Sequence, residues 1–164
     1  MTGAGFGQTV EEYELKAAFL LNFTRFVEWP PASFSNANFI IGIFGEDPFG
    51  RAIDEVTRGK AVNGHQIRIR RLKEPAEARE CHLVFVTSTD NKKTQEVLDA
   101  TNLSPVLTVG ESREFLNQGG TIRLSMDGNR VGIVINNAAA EAKGLKVSAK
   151  LLSLAKVYEK GKEK

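Results

Sequence analysis

Three places in the chain carry side chains whose type and spacing suit chemistry. Gly45-Glu46-Asp47-Pro48-Phe49-Gly50-Arg51-Ala52 has the glycine spacing of a phosphate-binding loop, set between an apolar run and a helical pattern. Its residues contradict that role. Arg51 and Ala52 stand where Lys and Ser/Thr are needed, Glu46 and Asp47 repel phosphate, and Pro48 has no N–H to donate. Glu46 and Asp47 also form a carboxylate pair at the carboxyl end of a strand, where α/β folds place ligands. Capping of the next helix is their simpler role, and a ligand crevice is the alternative. The third place is Cys81-His82. Neighbours on a strand point to opposite faces, which disfavours both a metal pair and a Cys–His nucleophile. Cys81 is the one cysteine, so no further thiol completes a zinc site and no intrachain disulfide forms. No catalytic residue, cofactor or metal is expected.

The elements that position these residues follow from periodicity. The chain of 164 residues suits one domain. The expected layout is a flexible leader over 1–9, a domain over 10–158 and a charged tail over 159–164. A net charge of +2 gives no argument for nucleic acid. No apolar run approaches the ~18 residues of a membrane span, and the first residues lack the pattern of a signal peptide.

Val10 to Val27 reads as the first helix, with Val10, Tyr13, Ala17, Leu20 and Leu21 on one face. Glu11, Glu12 and Glu14 suit its first turns, and Trp29-Pro30-Pro31 ends it. Phe19, Phe23, Phe26 and Trp29 also recur at helical spacing, so the helix is apolar on two sides. That suits either burial between layers or a subunit or partner contact, with these four aromatics as anchors.

Phe39 to Phe44 reads as a buried strand, leading into a helix capped by Asp47 with Pro48 first and ending near Thr57. Gln66 to Leu72 alternates like a strand near an edge. Cys81 to Thr87 is nearly continuously apolar, as a central parallel strand is. A helix over 91–100, capped within Ser88-Thr89-Asp90, precedes a buried strand at 106–110. A short helix is expected over 111–117. Asp127-Gly128-Asn129 joins Thr121–Met126 to Arg130–Ile135 as an antiparallel hairpin. Asn136 or Asn137 caps a helix ended by Gly144, and Ser148 caps a last helix with Leu151, Leu152, Ala155 and Tyr158 as its stripe. The expected fold is a single-domain α/β mixed sheet, mostly parallel with a C-terminal antiparallel hairpin, flanked by helices.

Four segments together resemble the YfiR family of bacterial periplasmic proteins. They are Glu12 to Phe23 with Phe26-Val27-Glu28-Trp29-Pro30, Ile41 to Gly50, Cys81 to Val86, and Ile135-Asn136 with Gly144 to Leu152. The resemblance implies an exported α/β domain whose signal peptide has been removed, often dimeric. It implies a regulator rather than an enzyme, one that binds the periplasmic part of a membrane-bound diguanylate cyclase and represses it, linking envelope conditions to cyclic-di-GMP and biofilm formation. The expected partners are therefore that cyclase or a sensor kinase, and a second copy of the chain, without direct membrane insertion. Some members use disulfides, and Cys81 alone cannot form one within the chain. Interface candidates are Phe19, Phe23, Phe26, Trp29, Asn136 and Asn137. The alternative is a small-ligand receptor component serving a sensor kinase, with a crevice near Glu46, Asp47 and Asn136.

Overall fold

The computed structural model describes residues 3–35, 37–87 and 89–159, with side chains from Val10 onward. The first two residues of the expected leader, Ser88 of the expected cap and residues 160–164 of the expected tail lie outside that range.

The described chain is a mixed α/β fold. Helix α1 (Gly3–Phe26) leads into β1 (Val27–Glu28), a 3-10 turn at Pro31–Phe34 and β2 (Asn38–Phe44). There follow α2 (Ala52–Thr57), β3 (Ala61–Val62), β4 (His65–Leu72), a second 3-10 turn at Pro75–Glu80 and β5 (Leu83–Val86). Next come α3 (Asn91–Thr101), β6 (Leu107–Gly110), β7 (Ile122–Asp127) and β8 (Arg130–Ile135). The chain closes with α4 (Asn137–Ala142), β9 (Lys146–Val147), α5 (Ala149–Ser153) and β10 (Lys156–Val157).

The main sheet has eight strands in the order β10-β8-β7-β6-β5-β2-β4-β3. Pairing from β4 through β2, β5 and β6 to β7 is parallel, and β7–β8 is the antiparallel hairpin. The chain passes from β2 to β4 on one side and returns to β5 on the other, so its direction of winding reverses between β2 and β5. Period-two alternation divides the apolar residues between the faces. Ile41, Ile43, Leu83, Phe85, Leu107 and Val109 meet α1 and α2 on one side. Val84, Val86, Val97, Leu98, Phe115 and Leu116 form the core of the other. A sheet covered on both faces explains why β5 and β6 are buried throughout.

Several boundaries differ from the sequence expectation. Helix α1 starts at Gly3, so Glu11, Glu12 and Glu14 stand inside it rather than in its first turn. Val10 is 58% exposed and does not belong to the buried face. Residues 27–28 leave the helix because Val27 and Glu28 pair with Val147 and Lys146. Helix α2 starts at Ala52, not at Pro48, because Gly50 holds a φ of 57° that no helix continues through. Residues 111–117 form turns instead of a helix. They fold around Phe115, whose ring lies against Gly110 and Gly120 so closely that a Cβ at either would overlap it. Helix α5 ends at Ser153, and Tyr158 reaches the core from the strand side, its N–H donating to Ile135 O at 2.7 Å.

Candidate functional site

The expected crevice at Glu46, Asp47 and Asn136 is not assembled. Asp47 Oδ1 accepts the Phe49 N–H at 2.8 Å, and Oδ2 accepts from Arg71 Nε at 2.8 Å. Arg71 is shared with Asp54, its guanidinium held charged chiefly by that second carboxylate. Asp47 thus fixes the turn after β2 and caps no helix, while Glu46 is exposed. Asn136 lies at the end of β8, with β7, β6 and β5 between it and β2. Four inter-strand steps separate the two places by about 19 Å. Strand β8 also runs against β2, so Asn136 points the chain toward the opposite end of the sheet. There its Oδ1 accepts the Ala139 N–H at 3.1 Å and caps α4, whose first residue is Asn137.

Cys81 and His82 hold structure. The Cys81 thiol is packed beside Gly42, and burial pushes its pKa up to about 12. His82 Nδ1 accepts the Ile40 N–H at 3.0 Å, so Nε2 carries the proton and donates to Ser33 O at 2.7 Å. Burial draws the His82 pKa below its ordinary value. Both ring nitrogens are engaged with backbone, and neither is available to a thiol. Among the described residues no group of three or more His, Cys, Asp or Glu side chains converges to hold a metal.

The aromatic anchors divide into two sets. Phe23 is fully buried, and Trp29 stacks edge-on against Phe39 at 4.9 Å while donating Nε1–H to His82 O at 2.9 Å. Neither offers a surface, so for these two of the four interface candidates burial between layers is the reading that holds. Phe23 lies on the side of α1 that meets the core, and the turn of the chain after α1 brings Trp29 against Phe39 and the start of β5. Phe19 and Phe26 are half-buried on the outer side of α1. Leu15, 42% exposed, and Asn22 complete one face with them at spacings of four, three and four residues. Lys150 Nζ stands 5.8 Å from the Phe26 ring.

A polar knot that sequence reasoning missed lies at the carboxyl end of the sheet. Lys16, buried in α1, donates to Glu12 Oε2 and to Glu111 Oε2, each at 2.5 Å. The Tyr13 hydroxyl donates to Glu111 Oε2 at 2.9 Å. Burial, and then the Glu111 charge, push the Tyr13 pKa up. Tyr13 also packs edge-on to Phe49 in the turn after β2, at 5.6 Å. The pair Glu12/Lys16 is visible in the sequence as an i,i+4 match, but nothing local announces Glu111, 95 residues away. Beside the knot, β7 continues past the last β6 pair, Gly110↔Arg123, through Asp127. That projection of ~13 Å walls an open cleft of about 610 Å³ between α1 and the hairpin.

Comparison with known proteins gives a family and a fold. A family model described as YfiR/HmsC-like matches residues 13–156. A conserved domain protein from Vibrio cholerae O1 biovar El Tor strain N16961 is 15% identical, with a TM-score of 0.52 over 73% of this chain and 54% of that one. The ABC domain in complex with L-Trp from Streptococcus pneumonia is 14% identical, with a TM-score of 0.49 over 73% of this chain and 55% of that one. The chain spans about half the length of each, and at that identity the first shares the α/β fold alone. No curated protein matches.

Proposed function

Because this chain belongs to the YfiR/HmsC-like family, we propose that it docks on the periplasmic part of a membrane-bound diguanylate cyclase and holds that enzyme repressed. The family is one of periplasmic, non-enzymatic regulators of diguanylate cyclases. No helix among the described residues is long and apolar enough to cross a membrane.

The observation that carries the reading is the outer face of α1. Leu15, Phe19 and Phe26 form an apolar strip on a helix whose other side is fixed in the core. Aromatic side chains bury large areas and dominate contact energies, so Phe19 and Phe26 are the anchors. Lys150 beside Phe26 and exposed Arg25 add positive charge at one end of the strip. A partner segment with apolar residues followed by an acid fits it. A homodimer through α1 would cover the same strip and compete with the cyclase.

The experiment is co-expression with the cyclase, reading cellular cyclic-di-GMP. The wild type should lower it, and Phe19→Asp with Phe26→Asp should restore it while the protein still accumulates in the periplasm. Full repression by the doubly substituted protein would contradict the assignment of the face. Light scattering on the same variant separates self-association from receptor docking.

A further inference from the structure

Strand β4 is an open edge of the main sheet along most of its length. Strand β3 pairs only with His65 and Gln66. Beyond them the Ile67 N–H points outward and donates to Lys60 O at 3.0 Å. The Lys73 N–H, just past the strand, donates to Glu77 Oε1 at 2.7 Å. Backbone groups alternate sides along a strand, so the N–H groups of Ile69 and Arg71 face outward between those two. Neither meets another strand or loop among the described residues. The chain itself closes both ends of this edge and leaves its middle open.

Charge decides what can add there. Arg70 pairs with Glu80, and Arg71 with Asp47 and Asp54. Arg58, Lys60 and Arg68 are exposed and form no ion pair among the described residues. Arg58 and Arg68 line, with Ile67 and Ile69, a cleft of about 340 Å³ beside this edge. A second copy laid edge to edge would bring the same cations together, and cations on an edge oppose such pairing. An acidic strand meets the complementary condition. Paired strands align their side chains face by face. Arg68 projects from the face that carries Leu72, and half-buried Ile69 from the other. The segment that fits therefore alternates acidic and apolar residues.

We propose that the open edge of β4 takes up an extended acidic segment of a protein partner as an added strand, its carboxylates on Arg58 and Arg68 and its backbone on Ile69 and Arg71. This surface shares no residue with the outer face of α1.

The test is an NMR titration of the ¹⁵N-labelled chain with a short capped peptide that alternates Glu and Val. It needs no cyclase, so its outcome is independent of the docking reading. Two controls accompany it, an alternating Lys and Val peptide and the Glu–Val peptide with every second amide N-methylated. The Glu–Val peptide should give saturable shifts at the Ile69 and Arg71 amides and slow their exchange with solvent. N-methylation on the bonding side should weaken it about tenfold, and added salt should weaken it further. Arg68→Glu, at an exposed position, should cost about fivefold. Arg58→Glu, in the turn after α2, gives a second reading if Arg68→Glu does not fold. No saturable shift up to ~10 mM, or equal binding of the Lys–Val peptide, would overturn the proposal. So would indifference to N-methylation on either set of alternate amides, which would mean that charge alone attracts the peptide.

Discussion

The two ends of the parallel sheet are built in opposite ways. At the amino end, Trp29, Phe34, Phe39 and His82 stack on one another, and every polar atom of the His82 ring meets backbone. At the carboxyl end, charged and hydroxyl groups meet across α1, β6 and the projecting hairpin, and crevices open between them. The first end locks the turn after α1 to β2 and β5. The second leaves polar groups facing solvent at strand ends, where α/β folds place ligands. Tight aromatic packing and open polar clefts thus occupy different ends of one sheet, joined by α1, which runs from the charged knot at Tyr13 and Lys16 to the aromatic lock at Trp29.

That contrast can be broken most forcefully at the amino end. Trp29→Ala removes a packed ring and the donor to His82 O, and should cost about 3–5 kcal/mol in urea unfolding. A loss below that of an ordinary surface change would mean the lock is not the stabilising end. At the carboxyl end, Glu111→Ala leaves Lys16 with Glu12 alone and strips Tyr13 of its acceptor. The expected loss is about 1–3 kcal/mol. A larger loss than for Trp29→Ala would reverse the comparison.

Acid sharpens it further. His82 is buried neutral, with its folded pKa below the ordinary 6.5, so the unfolded chain binds the proton more readily. Stability is full above that ordinary value and falls as pH drops through it, by at most about 1.4 kcal/mol per pH unit. Protonation also leaves the Ile40 N–H facing a donor. His82→Gln should flatten the slope between neutral and mildly acid pH in parallel unfolding curves. An unchanged slope would assign the acid sensitivity elsewhere.

The strands were legible because burial on both faces writes continuous apolar runs, as in Leu83–Val86, and because Gly128-Asn129 writes a hairpin turn. Helix ends were not. Gly50 delays the start of α2 through its backbone geometry, α5 ends at Ser153 before β10 pairs with β8, and neither boundary appears as a local pattern. The aromatic residues of the first helix were seen, but their division into core and surface was not. Phe23 and Phe26 look alike in sequence, and only the packing of α1 on the sheet decides which of them is covered. The crevice at Glu46 and Asp47 failed because Arg71, from β4, takes up Asp47. The knot at Lys16 escaped notice because it closes between residues far apart in the chain.

The smallest expected effect on stability belongs to the outer face of α1, and it gives the most direct test. Phe19→Asp with Phe26→Asp should change unfolding free energy by about 1 kcal/mol. The decisive measurement is the affinity of this folded variant for the purified periplasmic segment of the cyclase, by calorimetry beside the wild type. A loss of about a hundredfold or more is predicted, as for paired aromatic anchors. Wild-type affinity in the folded variant would show that recognition does not run through α1.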